Sequence, residues 1–151
     1  MKAEFDLLNT TRQVVLKSIS ELSLKQLNKV PNGYRNSIAW NVAHIVVTQQ
    51  ILHYKFSGNE ILVPTPFVEQ YKKGTEVLAS ISDTDWKQVL EFLKTLPVQL
   101  STDYKLGKFS NYDSYMTSYG YELHNIEEAI TFNNVHEALH LGYIMAMKKQ
   151  V

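Results

Sequence analysis

Two histidines near the C-terminal end of the chain, His136 and His140, could together bind one metal ion. They are four residues apart, so on an α-helix their side chains point about 40° apart and lie one turn from each other. Residues 136–140 also read H-E-A-L-H, which matches the zinc-protease pattern H-E-x-x-H. The spacing therefore predicts a metal site. The match to the H-E-x-x-H pattern adds the hypothesis of a zinc protease.

The rest of the chain argues against a protease. In zinc proteases of this pattern the third metal ligand follows downstream, and the glutamate acts as general base. The residues after His140 include no His, Asp or Glu. Glu137 also lies about 100° around the helix from His136, on the flank of the predicted inward face. We therefore reject the protease interpretation and expect Glu137 to be a solvated charge, with a supporting role behind the ligands or a subunit contact as alternatives.

A third ligand would have to come from upstream, and His44 is the candidate. On the helix predicted around it, His44 shares an inward face with Trp40 and Ile51. The pair at 136 and 140 alone could equally be core histidines hydrogen-bonded to backbone carbonyls. Three inward imidazoles favour a metal, because three neutral histidines with an open position form a catalytic-type site for zinc and similar ions.

Other polar residues are weaker candidates. His53 lies about 180° around the helix from His44, so we expect it at the surface or in a subunit interface. His124 is expected to be a loop histidine. Asn41 and Asn133 each lie about 60° from a predicted ligand, and either could orient a bound molecule or cap a neighbouring backbone group. Possible proton donors or cavity walls are Tyr119, Tyr121 and Tyr143.

Composition limits the classes of function. The 151 residues, 44% of them hydrophobic, fit one domain spanning residues 1–151. Fifteen basic residues balance fifteen acidic ones, so no excess charge favours nucleic acid as a partner. The chain has no cysteine, which excludes disulfides and thiolate metal sites. The N-terminal residues do not resemble a signal peptide and no run approaches the ~18 apolar residues of a membrane span, so we expect a cytoplasmic protein.

Four predicted helices must position the histidines. Apolar residues at helical spacing over residues 7–22 predict the first helix. Ser37, Ser82 and Asn125 are predicted N-caps of the other three, the last of which should run to about Lys149. Pro97 should end or kink the third helix. With no convincing strand, this pattern predicts an all-α four-helix bundle.

Two long connections separate these helices. The first holds Pro64, Pro66 and Gly74, and its length suggests that it packs against the body as a functional or covering loop. The second, residues 107–124, is rich in tyrosine and serine.

Two segments of the chain resemble signatures of the DinB-like superfamily, which includes YfiT-like metal-dependent hydrolases. Residues 36–45 contain the pattern W-x-x-x-H at Trp40 and His44, and residues 127–144 contain N-x-x-H-x-x-x-H-x-G, which ends at Gly142. The resemblance implies an up-down-down-up four-helix bundle and a frequent homodimer. It also implies a divalent metal, usually nickel or zinc, held by His44, His136 and His140. Gly142 would then permit close helix packing.

The chain departs from the commonest family pattern at two positions. Where that pattern has a second histidine before the last ligand and a glutamine after the glycine, this chain has Leu139 and Tyr143. Members of the superfamily include thiol S-transferases and maleylpyruvate isomerase-like enzymes. The family name reflects induction by DNA damage, but the neutral charge of this chain gives no support to DNA binding.

Three hypotheses for the function follow. The first is a metal-dependent enzyme of the hydrolase or thiol-transferase type, acting on a small-molecule substrate or thiol. The second is a non-catalytic metal- or small-ligand-binding bundle of a stress response, with a sealed cavity. The third is a structural dimeric bundle whose histidines hold no metal. We expect neither nucleic acid nor membrane as a partner.

Overall fold

The computed structural model describes residues 1–151 and is mostly helical. Its long helices are separated by short helices and by one small hairpin. In chain order the elements are α1 (Lys2–Ile19), α2 (Leu24–Asn28), α3 (Ile38–Gln50), α4 (Thr65–Tyr71), α5 (Asp83–Lys105), β1 (Tyr115–Met116), β2 (Glu122–Leu123) and α6 (Ile126–Lys148). One π-helical turn, Ile51–Lys55, continues α3. None of these helices is both long enough and apolar enough to cross a membrane.

The three predicted N-caps are confirmed. The Ser37 hydroxyl accepts a hydrogen bond from the backbone N–H of Trp40, 3.2 Å away, and begins α3. Ser82 caps α5 in the same way, and the Asn125 side chain caps α6. Each cap satisfies an N–H group that the first helical turn leaves without a partner. The local sequence thus fixes where the three helices that carry or face the histidines begin.

Of the two effects expected of Pro97, an end to the helix or a kink in it, the first is wrong, because α5 continues to Lys105. Proline removes one intrahelical hydrogen bond, here the one that the carbonyl of Leu93 would accept. Leu93, Leu96 and Leu100 are nevertheless all buried, so the apolar face extends across the proline. Continuous packing of that face outweighs the loss of a single hydrogen bond.

Both long connections contain short regular elements. The first includes α4, which packs on α3 and buries Val68 and Tyr71. The covering role expected of this connection is therefore confirmed. The second contains β1 and β2, which pair antiparallel with Tyr115 opposite Leu123.

The four long helices form a closed ring of contacts. α1 and α3 each pack against both α5 and α6. Buried apolar residues form one large cluster that includes Val15 and Ile144 and a smaller one that includes Leu8 and Ile130. A buried polar layer lies between these clusters along α1 and α6. The first predicted helix is confirmed as α1, although two of the apolar residues that predict it, Leu7 and Val14, are exposed.

Candidate metal centre

Three histidines from two helices meet beside a cavity. His44 comes from α3, and His136 and His140 come from successive turns of α6. One ring nitrogen from each lies within 4.8 Å of the others. The Nε2 atoms of His136 and His140 are 3.1 Å apart. The structure therefore brings together the three residues that the sequence singled out.

The surroundings of His44 fix which of its nitrogens is free to bind. Its Nδ1 lies 2.6 Å from the backbone carbonyl of Tyr71, the last residue of α4. A carbonyl only accepts hydrogen bonds, so Nδ1 carries the proton and Nε2 carries the lone pair. The Thr48 hydroxyl lies 3.3 Å from that Nε2, and the Trp40 ring stacks on the imidazole at 4.5 Å.

His140 is oriented in the same way by a side-chain amide. Its Nδ1 lies 2.8 Å from Oδ1 of Asn41. The Nδ2 of Asn41 donates to the carbonyl of Ser37 at 2.8 Å, which fixes the amide with its oxygen towards His140. Nδ1 of His140 is therefore the donor, and its Nε2 presents a lone pair to the cluster.

His136 completes the cluster without a protein partner of its own. Its Nδ1 is buried and forms no hydrogen bond. Two nitrogens bound to one zinc ion at ~2.0–2.1 Å in tetrahedral geometry are about 3.3 Å apart, close to the 3.1 Å between the Nε2 atoms of His136 and His140. The pair thus fits a divalent ion as it stands, and a separation of 4.8 Å within the cluster would have to shorten by about 1.5 Å for all three histidines to bind it.

Burial keeps these imidazoles neutral. It lowers the pKa of His136 to about 2, helped by the neighbouring His140 and His44. It likewise lowers the pKa of His140 to about 3 and moves the pKa of His44 down from its ordinary value. A neutral imidazole is the form that binds a metal, so the site needs no deprotonation near neutral pH.

A cavity of about 350 Å³ opens directly onto all three histidines. Ile51, Phe56 and Phe132 give it apolar walls, and Thr48 adds a hydroxyl. Tyr119 also lines it, as the sequence allowed. Tyr121 lies outside the cavity, and Tyr143 lines a separate depression behind His140.

Glu137 is not a solvated charge, so that expectation is wrong. Its side chain is 0% exposed and forms an ion pair with Arg12 of α1, which is 1% exposed. The two bonds, from Nε and Nη2 of Arg12 to the carboxylate oxygens, measure 2.6 and 2.7 Å. Asn133 donates a third hydrogen bond at 2.9 Å, and Gln49 accepts one from Arg12 at 3.3 Å. The glutamate of the H-E-x-x-H pattern is therefore paired within the protein core. Asn133 donates its hydrogen bond to Glu137 and does not line the cavity.

Two further expectations are wrong, and one is confirmed. His53 lies outside the cluster but is fully buried rather than at the surface. Its ring nitrogens lie near the backbone of Gln49 and Ala129 without forming hydrogen bonds. Gly142 is exposed, and a Cβ built on it would meet no atom within 4 Å, so it permits no close packing within the chain. His124 is an exposed loop histidine, as predicted.

The sequence interpretation missed Arg12, Lys72 and Lys73. Arg12 lies on the buried face of α1 between Leu8 and Val15. A charged residue at a position whose neighbours on the face are apolar could have indicated a buried ion pair. The two lysines line the cavity at the end of α4. No signal in the sequence tied them to the site, because their place depends on how the connection packs.

Comparison with known proteins gives one family match. The family model described as the DinB superfamily matches residues 7–144, which include all three clustered histidines. No curated protein matches the chain in sequence.

Proposed function

The chain belongs to the DinB superfamily, and from this premise we propose that it is a metal-dependent enzyme with a divalent ion held by His44, His136 and His140. The observation that carries the proposal is the convergence of three neutral imidazoles within 4.8 Å. In two of them, a hydrogen bond at Nδ1 leaves the lone pair on Nε2. Nitrogen ligands of this kind suit zinc or nickel.

The chemistry expected at such a site is either hydrolysis of a substrate or transfer of a thiol to one. A divalent ion held there would supply Lewis acidity, which lowers the pKa of a coordinated water or thiol. The carbonyl of Tyr71 and the amide of Asn41 hold two imidazoles in the binding tautomer. Thr48 places a hydroxyl beside His44, where it can donate a hydrogen bond to a bound substrate. The apolar walls limit access of water.

The open cavity favours an enzyme over a non-catalytic metal-binding bundle. A storage or sensing site has no need of a space for a second molecule beside the ion, whereas this cavity reaches all three histidines. A non-catalytic ligand-binding protein of a stress response is the second candidate, since the same cavity could hold a ligand without reaction.

Elemental analysis tests the metal, and activity assays test the reaction. Protein purified without a metal-affinity tag and supplied with zinc or nickel should contain one equivalent per chain. Less than one equivalent with every divalent metal would refute the proposal. The loaded protein should then conjugate thiols to a model electrophile or hydrolyse a model ester, and the His44→Ala variant should not. Full metal content without either activity would favour the non-catalytic candidate.

We also propose that two copies of the chain pair through the outer face of α6. Between Glu128 and Lys148 the exposed residues of this helix are all uncharged, and several are large and apolar. An uncharged face is self-complementary, because it leaves no buried charge unpaired against itself. Val135 is exposed on this face. Light scattering should therefore give the mass of a dimer for the wild type and of a monomer for Val135→Glu.

The four long helices are proposed to run up-down-down-up. The beginnings of α1 and α6 share the smaller apolar cluster, through Leu8 and Ile130. The same cluster contains Tyr54, which follows α3, and Leu100 near the end of α5. This sharing supports α1 and α6 running one way and α3 and α5 the other.

A further inference from the structure

The cavity beside the histidines has an unbalanced positive charge. Lys72 and Lys73 line it, and no aspartate or glutamate does. Lys72 is already paired with Glu69, a neighbour outside the lining. Lys73 is exposed and forms no ion pair. One lysine at this cavity thus has its charge available for a bound molecule.

Lys73 belongs to the same stretch of backbone that orients a histidine of the cluster. It follows Tyr71 by two residues, and the carbonyl of Tyr71 accepts the hydrogen bond from His44. Two residues span at most about 7 Å of chain. Lys73 therefore joins the cavity wall from the same short segment of backbone that orients His44.

Aromatic side chains form another part of the cavity wall. Phe56 and Tyr115 stack at 4.5 Å between ring centroids with an angle of 25°. Phe132 and Tyr119 meet edge to face at 5.4 Å. All four rings line the cavity, and their mutual packing limits their freedom to move. Such a wall favours a flat apolar group.

We infer that this cavity binds a small organic carboxylate with an apolar, preferably aromatic, body, and that Lys73 binds the carboxylate end. The inference rests on the proposed function, because it names the substrate class of the same site. The cavity of about 350 Å³ is at the small end of the ~300–1,000 Å³ typical of ligand sites. Lys73 acts on binding and specificity, and the bond that reacts would lie at the histidine end.

Calorimetric titration of the zinc-loaded protein tests this with a matched pair of probes, 3-phenylpropionate and its neutral analogue 3-phenylpropionamide. The carboxylate should bind more tightly than the amide. Lys73→Gln should weaken carboxylate binding about fivefold, the effect of losing one partly solvated ion pair, and should leave amide binding unchanged. Lys94→Gln is the matched control, since Lys94 is exposed on α5 and does not line the cavity.

Several results would overturn the inference. One is equal affinity for the two probes, and another is a loss in Lys94→Gln as large as in Lys73→Gln. Absence of carboxylate binding at millimolar concentrations would do the same. A carboxylate affinity that falls on zinc removal but not in Lys73→Gln would assign the carboxylate to the metal instead of the lysine.

The zinc content of each variant separates this inference from the proposed function. If the wild type fails to bind zinc while carboxylate binding still depends on Lys73, the proposed metal function fails and the anion site stands. If one equivalent of zinc is bound in both the wild type and Lys73→Gln, but the two bind the carboxylate equally, only the anion site fails.

Discussion

Replacing Glu137 by glutamine tests whether the glutamate of the H-E-x-x-H pattern is structural or catalytic. In the structure its carboxylate forms two short bonds to Arg12 and accepts a third from Asn133, with both charged side chains almost fully buried. The glutamine side chain has nearly the same shape but no charge. The substitution therefore leaves the Arg12 guanidinium buried beside an amide that offers it one acceptor oxygen.

The expected loss follows from the burial of that uncompensated charge. Breaking a buried ion pair by removing one partner costs about 3–5 kcal/mol of unfolding free energy. For a chain of this length each kcal/mol lowers the melting temperature by about 2–4 °C, so a fall of roughly 6–20 °C is expected. The total stability of a domain is typically about 5–15 kcal/mol, so the variant should still fold.

Urea unfolding of metal-free protein measures the loss, with Asp6→Asn as the control. Asp6 pairs with Lys2 at the surface, where the side chains are 63% and 90% exposed. An exposed pair of this kind contributes about 0–1 kcal/mol. The double variant Arg12→Met with Glu137→Leu should recover most of the loss, because apolar side chains of similar volume can replace a buried ion pair at little cost.

The result for metal content and activity completes this test. Folded Glu137→Gln should still bind one equivalent of zinc, because Glu137 contacts none of the three histidines through a hydrogen bond. A variant that keeps its stability within about 1 kcal/mol but loses activity would refute the structural role. Such a result would restore the general-base interpretation that the downstream sequence argues against.

Three further predictions concern the histidines. Single alanine substitutions at His44, His136 and His140 should each reduce zinc affinity at least about tenfold. His53→Ala is the control and should still bind one equivalent of zinc. Zinc loss in His53→Ala but not in His44→Ala would contradict the assigned cluster. Asn41→Leu removes the acceptor for Nδ1 of His140 and should weaken zinc binding about 10–100-fold in a competitive chelator titration. Asn41→Asp keeps an acceptor oxygen and should retain the zinc affinity. Equal affinity in the two variants would exclude an orienting role for Asn41. Burial lowers the pKa of His53 to about 3. As pH falls from about 6.5 towards 3, His53 is therefore protonated in the unfolded state but not in the folded state, which favours unfolding. The free energy of unfolding should fall by about 2 kcal/mol between pH 7.5 and pH 5 on account of His53. In metal-free protein, His53→Leu should shrink the pH 7.5 to 5 difference in urea stability by that amount, and an unchanged difference would show that the folded protein protonates His53 readily.

The features that the sequence predicted depend on residues close together in the chain. Each N-cap joins a side chain to a backbone N–H three residues later, so the local sequence is enough to predict the caps at Ser37, Ser82 and Asn125. The pair at His136 and His140 is likewise local, because four residues on a helix place two rings on one side. His44 could be added because the same helical spacing places it on one face with Trp40 and Ile51, and that helix is buried along nearly its whole length.

The features that the sequence did not reveal depend on distant partners or on altered helical geometry. The partner of Glu137 is Arg12, at the other end of the chain, and no local pattern joins them. His53 lies in the π-helical turn, where each residue rotates by less than the 100° used to place it. That turn also packs against α6, so even the side opposite His44 is buried.

The position of Glu137 also shows how α6 is rotated so that its histidines lie beside the cavity. Glu137 lies near the middle of the buried face, between Ile130 and Ile144. With about 100° per residue, His140 and His136 then lie about 60° and 100° to one side of it, at the boundary between core and cavity. Had the histidines occupied the centre of the buried face, as the predicted inward orientation suggested, they would have been enclosed by the core in place of Glu137. With Glu137 paired to Arg12 in the core, α6 holds His136 and His140 where they are shielded enough to stay neutral and yet line the cavity.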